Sequence, residues 1–168
     1  MKTFVVYLII GIIFQILNTT LLQAILPYNF LPDFMLVLVF YLGFHRRSVE
    51  GVITSFSLGF ITDTFSGGVM GITSFGLVSV FVLTYALSRK MTADALPVKI
   101  GGTFIMALLK AGLIYIVLRA ILFGRDTQFY TLAIPSALST ALLSPFVFSL
   151  LDRVERSLTQ RQQSDPIL

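Results

Sequence analysis

The sequence contains no cysteine and no tryptophan, and only 12% of its 168 residues are charged. Without cysteine, the chain has no disulfide framework, no thiol nucleophile and no thiolate metal ligand. Its single histidine, His45, lies in a predicted loop without a cluster of carboxylates beside it, which argues against a metal site. The scarcity of charge is equally restrictive, because soluble domains carry about 25% charged residues.

Long apolar runs take the place of the missing charge. Hydrophobic residues make up 56% of the chain, and its mean hydropathy is +0.91. A membrane-spanning helix needs about 20 predominantly apolar residues. We therefore predict an all-α integral membrane protein with six transmembrane helices, at residues 4–26, 31–44, 49–61, 69–87, 100–123 and 130–151.

The second and third predicted helices are short for a bilayer crossing. They would thin the bilayer locally, extend through their polar flanks, or pack inside the other helices. A five-helix count, with these two as a buried hairpin, is the alternative. The first run follows Lys2 as a signal peptide would, but its length and its residues Gln15 and Asn18 predict a retained helix. Residues 1–151 would form the helical bundle, and residues 152–168 a short polar tail.

Basic residues fall mostly on one side of this predicted topology. The loops on the other side hold only Arg119 and Arg125. Because Lys and Arg are enriched in cytoplasmic loops, an even number of spans places both termini in the cytoplasm and turns Asp33 and Asp63 outward. The net charge of +4 then reflects orientation rather than a nucleic-acid partner. The residues on the predicted cytoplasmic side are Lys2, Arg46, Arg47, Arg89, Lys90, Lys99, Arg153, Arg156 and Arg161.

Small residues recur at intervals of four in the third predicted helix. Residues spaced in this way form one slowly winding stripe on a helix surface. Helix association in lipid depends on close packing through small residues. The stripe therefore predicts packing inside the bundle, with partner binding as the alternative. It consists of Gly51, Ser55 and Gly59 and ends at Asp63; the sixth helix has a similar stripe of Ser136, Thr140 and Ser144.

Two basic residues lie within the fifth predicted helix. Lys110 falls near the bilayer midplane, where a lysine costs several kcal/mol unless it finds a partner, reaches water or snorkels. No carboxylate is predicted at its depth, so ligand or partner contact and simple snorkelling both stay open. Arg119 falls at about the depth of Asp33 and Asp63, and we predict an ion pair between Asp63 and Arg119 or a triad with Asp33.

The segment DTFSGGVMG, residues 63–71, predicts an anchored turn. Side chains of Asp63 and Ser66 can bond free backbone groups at a helix end, Gly67 permits a positive φ, and Gly71 permits close helix approach. An intramembrane aspartyl protease would need two aspartates at matched depth sharing a proton, whereas both acids here are predicted at hydrated helix ends. The sequence also offers no Ser–His–Asp set, phosphate-binding loop or metal cluster. It predicts neither an enzyme nor a cofactor.

Residues 31–77, LPDFMLVLVFYLGFHRRSVEGVITSFSLGFITDTFSGGVMGITSFGL, resemble the MreD family of bacterial rod shape-determining membrane proteins. The resemblance lies in a Pro-Asp that opens the second apolar segment, a basic loop, and a glycine-bearing helix that leads into an aspartate and a Ser/Gly-rich turn. Chain length and span count are also similar. The matching positions are Pro32, Asp33, Arg46, Arg47, Gly51, Gly59, Asp63, Ser66, Gly67 and Gly71.

The resemblance implies a non-enzymatic subunit of the cell-elongation machinery in the bacterial inner membrane. Such a subunit would bind an MreC-like single-span protein, and through it RodA and a class B penicillin-binding protein, with MreB on the cytoplasmic side. The family is also thought to be similar in fold to the substrate-capture subunits of energy-coupling-factor vitamin transporters, an analogy of fold only. A vitamin-type binding subunit of a transporter is therefore the alternative function.

Overall fold

The computed structural model describes residues 2–22, 30–45, 48–66, 70–88, 97–121 and 129–163. Six α-helices follow one another in these ranges, as predicted, and the architecture is all-α. α1 spans Lys2–Leu17 and continues as a π-helical turn, Asn18–Leu22. α2 spans Phe34–His45, α3 Ser48–Ser66 and α4 Ile72–Ser88. A π-helical turn, Val98–Gly102, leads into α5, Thr103–Ile121, and α6 spans Phe129–Gln163.

α2 lies at the centre of the bundle. Its residues Met35 to Gly43 are all buried, and it contacts each of the other five helices. Its 12 residues measure about 18 Å, well short of the roughly 30 Å of a bilayer core. A helix that is apolar on every side is suited to such an interior position. Burial inside the bundle thus explains why this predicted span is short.

α3 is longer than the sequence predicted. It runs for 19 residues, about 28 Å, rather than ending at residue 61. Its hydroxyl side chains bond the carbonyl one turn earlier: Thr54 Oγ1 donates to Glu50 O at 2.7 Å and Thr62 Oγ1 to Leu58 O at 3.0 Å. These bonds satisfy the hydroxyl groups within the helix. α3 can therefore extend through its polar residues in apolar surroundings.

α6 is a single helix of 35 residues, about 52 Å long, and contains both Pro135 and Pro145. The helix begins at Phe129, six residues before Pro135 and close to the predicted start at residue 130. Pro145 has no N–H to donate to the carbonyl of Ala141. The Ser144 hydroxyl lies 2.8 Å from that carbonyl and 2.9 Å from Lys99 O, so its single proton is shared between them and partly replaces the lost bond. α6 also continues without a break across the boundary predicted at residues 151 and 152.

The outside of the bundle is apolar. On α1, Val5, Ile9, Ile13 and Ile16 are each about half exposed, and on α6 Phe146 is 73% exposed. Exposed apolar surface of this extent fits contact with lipid rather than water. By length and composition, two helices of the described ranges, Val98–Ala120 and Ala133–Ser157, are suited to cross a membrane, and three others are apolar but shorter.

Candidate functional site

The most polar part of the interior is an ion pair between α5 and the start of α2. Lys110 Nζ lies 2.5 Å from Asp33 Oδ2. The lysine side chain is 9% exposed and the aspartate side chain 30% exposed. The lysine stem also packs against Gly76 of α4, where an added Cβ would lie 3.2 Å from Lys110 Cγ. The expectation that no carboxylate lies at the depth of Lys110 was wrong. α2 is short and lies at the centre of the bundle, so Asp33, directly before its first residue, reaches Lys110.

Asp33 also fixes the beginning of α2. Its Oδ1 accepts a hydrogen bond from the backbone N–H of Leu36 at 3.0 Å, as an N-cap residue does. Its own backbone N–H donates to Thr140 Oγ1 of α6 at 2.9 Å. One residue therefore joins α2 to α5 through its charge and to α6 through its main chain.

The segment before Asp33 is held in the same way. Asn18 Nδ2 of α1 donates to Pro32 O at 3.2 Å, and Ser136 Oγ of α6 donates to Leu31 O at 2.9 Å. The carbonyls of this irregular stretch thus find side-chain donors, as an apolar environment requires. The Oδ1 atom of Asn18 is buried and accepts no hydrogen bond in the described part of the chain.

Asp63, near the end of α3, binds the start of α4. Its Oδ2 accepts from the backbone N–H of Gly71 at 2.8 Å, and its Oδ1 from that of Thr73 at 3.1 Å. The backbone N–H and the hydroxyl of Ser74 lie 3.4 Å from Oδ2. The free N–H groups and positive dipole of a helix N-terminus stabilise a carboxylate. Asp63 is therefore a structural anchor, although it is buried rather than hydrated as predicted.

Arg119 does not bind Asp63. Its side chain is exposed, and Nη1 donates to the hydroxyl of Tyr115 one turn earlier on α5, at 3.3 Å. The predicted pair of Asp63 with Arg119, and the triad with Asp33, are therefore wrong. Backbone N–H groups of α4 already occupy Asp63, and Lys110 is the cation beside Asp33.

The turn between α3 and α4 is described in part. Gly71 has φ +94° and open space around its Cα, so it is required for backbone conformation and not for the close helix approach that we predicted. Ser66 ends α3 with an exposed side chain. Gly67 and Gly68 lie outside the described residues.

We expect Asp63→Ala to destabilise the fold by about 1–2 kcal/mol, because N–H groups of α4 lose their acceptor. Asp63→Asn keeps an acceptor oxygen but loses the charge, so its effect should be smaller. Unfolding in mixed detergent micelles, followed by circular dichroism, measures both. Glu50→Gln, which alters an exposed carboxylate on the same helix, is the control and should change little. An Asp63→Ala variant as stable as this control would show that Asp63 is no anchor.

The stripe of small residues on α3 faces α4. A Cβ on Gly59 would lie 2.3 Å from Ser74 Cα, and one on Gly51 would lie 2.0 Å from the ring of Phe81. Ser55 is fully buried and donates to the carbonyl of Gly51 at 2.7 Å. The prediction of packing inside the bundle is thus confirmed for α3, and no room is left there for a partner helix.

The stripe on α6 is also used within the chain. Ser136 and Thr140 bind the segment before α2, and the Ser144 hydroxyl lies 2.9 Å from Lys99 O in the turn before α5. Each of these bonds joins α6 to another element. The stripe therefore consists of internal contacts rather than a free groove.

A second polar cluster, at the opposite end of α2, was not predicted. The hydroxyls of Tyr7 on α1 and Tyr41 on α2 both donate to Glu155 Oε2 of α6, at 3.1 and 2.7 Å. Both tyrosines are fully buried, and His45 stacks on Tyr41 with ring centroids 4.1 Å apart. A buried tyrosine hydroxyl needs a hydrogen-bond partner. A tyrosine within an apolar run is therefore a signal in the sequence for a polar contact of this kind. Glu155 belongs to the predicted polar tail, residues 152–168, yet its carboxylate binds two buried tyrosines of the bundle.

We call the end of the bundle with Asp33 and Asp63 the aspartate end, and the end with Tyr7 and Tyr41 the tyrosine end. Within the described residues, no group of three or more His, Asp or Glu side chains is placed to hold a metal ion. Asp33 and Asp63 bind different helices and form no hydrogen bond with each other through which they could share a proton. The polar residues at both ends act by joining helices.

Comparison with protein families gives one clear result. The family model for "rod shape-determining protein MreD" matches residues 1–154 of the 168. Neither the comparison with curated proteins nor that with solved structures gave a match.

Proposed function

The chain belongs to the MreD family of rod shape-determining proteins, and from this premise we propose that it is a non-enzymatic scaffold of the cell-elongation complex in the bacterial inner membrane. It would bind an MreC-like single-span protein and thereby position peptidoglycan synthesis. RodA and a class B penicillin-binding protein would be reached through that partner, and MreB would lie on the cytoplasmic side.

One observation carries this proposal: the charged side chains of the interior, Asp33, Asp63 and Lys110, are engaged in joining helices. Asp33 joins α2 to α5 and α6, and Asp63 joins α3 to α4. A catalytic or ligand site would instead need several polar groups aimed at one unoccupied point. A bundle with an apolar exterior is suited to presenting surfaces to other membrane proteins.

The structure changes our expectation of how a partner would bind. Partner binding was the alternative role of the small-residue stripes, but α3 and α6 fill theirs with contacts inside the chain. The partner would instead contact outward apolar faces.

Photo-crosslinking groups test which face the partner contacts. Groups at Phe56, Ile116 and Phe146, all more than half exposed, report contact with α3, α5 and α6. The same three variants expressed without the MreC-like protein are the control and should give no crosslinked product of its size.

The alternative is a subunit that captures a vitamin-type small molecule. The unsatisfied Oδ1 of Asn18 beside the Asp33 segment is the observation in its favour. Purification with a co-expressed MreC-like protein separates the two functions. We expect a stoichiometric protein complex without a retained small molecule in native mass spectrometry. A stoichiometric small ligand without a membrane partner would overturn the scaffold proposal.

We also propose that both termini are cytoplasmic, which turns the aspartate end outward. The chain lacks cysteine, so a thiol-specific reagent will label it only at a cysteine that is introduced. Met70, at the aspartate end, is 66% exposed, and Ser157, beyond the tyrosine end, is exposed too. A membrane-impermeant maleimide should label Met70→Cys in intact cells and Ser157→Cys only after lysis. The reverse pattern would contradict the orientation.

A further inference from the structure

Polar bonds hold α2 at both of its ends. At the aspartate end, Asp33 binds Lys110 and donates its backbone N–H to Thr140. At the tyrosine end, the hydroxyl of Tyr41 donates to Glu155. Lys110, Thr140 and Tyr41 are themselves buried, so breaking one of these bonds leaves a polar group without a partner in an apolar interior.

Both ends of α2 are bound to the same neighbour, α6. Thr140 and Glu155 are 15 residues apart on that helix, about 22 Å along its axis. Pro145 lies between them, where the backbone bond to Ala141 is partly replaced by a hydroxyl. A proline within a helix is a common site of bending. α6 therefore has a bending point between its two bonds to α2.

α2 itself has little freedom to deform. Met35 to Gly43 are buried on every side against the other five helices. Densely packed interiors transmit displacement, and a short packed helix shifts as a unit by about 1–2 Å. A movement at one end of α2 must then appear at the other.

We propose that α2 is a strut that couples the position of the α6 segment beyond Pro145 to the Asp33–Lys110 ion pair. Bending of α6 at Pro145 displaces Glu155 and, through Tyr41, draws α2 along its axis. Asp33 moves with it, which changes the geometry of the aspartate end. The coupling lies within the chain, so it goes beyond the scaffold role and does not require a partner.

Pairs of spin labels on the cysteine-free chain measure this coupling. Cysteines at Leu87 and Ser157 report on the tyrosine end, and cysteines at Phe30 and Met70 report on the aspartate end; all four positions are exposed. The test variant, Tyr41→Phe, removes the hydroxyl and keeps the ring. Electron–electron resonance on the purified chain in nanodiscs should show shifts of about 1–2 Å in both label pairs.

Thr84→Val is the matched control. Thr84 is fully buried and packs on Gly43 of α2, but among the described residues its hydroxyl bonds only Val80 O in its own helix. Both distances should stay unchanged in this variant. A shift confined to the tyrosine-end pair in Tyr41→Phe would overturn the coupling, and so would unchanged distances in both pairs.

If α2 moves as a unit, a change at its aspartate end must also appear at its tyrosine end. At the aspartate end, Thr140→Val removes the hydroxyl that accepts the Asp33 N–H and keeps a side chain of similar shape. It should therefore shift the Leu87–Ser157 distance at the far end, and this variant also serves if Tyr41→Phe does not fold. An unchanged distance would contradict the proposal. Because the isolated chain is measured, failure here is distinct from failure to bind an MreC-like partner.

Discussion

Asp33→Asn should destabilise the protein by roughly 3 kcal/mol, because it leaves the ammonium group of Lys110 buried without a counter-charge. Asparagine keeps an oxygen that can accept the Leu36 N–H, so the helix cap is retained and the loss isolates the ion pair. The lysine side chain is only 9% exposed and has little access to water. Unfolding in mixed micelles measures the loss.

The partner substitution should cost less. Lys110→Met leaves the Asp33 carboxylate unpaired, but that side chain is 30% exposed and can be hydrated. The double variant, Asp33→Asn with Lys110→Met, should regain most of the stability, since replacing a buried ion pair by neutral groups is often close to neutral. Additive losses in the double variant would show that the two residues do not form a coupled pair.

Gly59→Ala should destabilise the protein by about 2–3 kcal/mol, because the methyl group meets the backbone of α4. An added Cβ would lie 2.3 Å from Ser74 Cα, and a main-chain atom cannot move aside as a flexible side chain can. The two helices would have to separate. This separation would also weaken the bonds from Asp63 to the start of α4.

The same glycine-to-alanine substitution in α5 should change the stability in the opposite direction. A Cβ on Gly112 of α5 meets nothing within 4 Å. Gly112→Ala should therefore be neutral or stabilising by up to about 1 kcal/mol, the difference in helix propensity. Comparison of the two variants in the same unfolding assay tests the packing argument. Equal stability of Gly59→Ala and Gly112→Ala would contradict it.

Features local in sequence were predictable. Apolar runs located the six helices, and the spacing of Gly51, Ser55 and Gly59 showed that α3 packs closely against a neighbour. The role of Asp63 as an anchor also followed from the turn residues beside it. These inferences depend on helical periodicity and turn chemistry, which a short segment contains in full.

Contacts between distant residues were not predictable. Asp33 and Lys110 are 77 residues apart, and Tyr41 and Glu155 are 114 apart. Predicted depth suggested Arg119 as the partner of Asp63, but depth does not specify which helices are neighbours. The central position of α2 decides both pairings, and it depends on how all six helices pack.

We proposed that the protein acts in cell shape by holding a membrane partner. The direct test uses a variant that inserts and folds normally but no longer copurifies with the MreC-like protein, selected from substitutions at the exposed positions that crosslink to it. This variant replaces the chromosomal copy in the native bacterium, and the ratio of cell length to width is measured. We expect rounded cells, with a lower ratio of length to width. Rod-shaped cells that grow normally without this contact would contradict it.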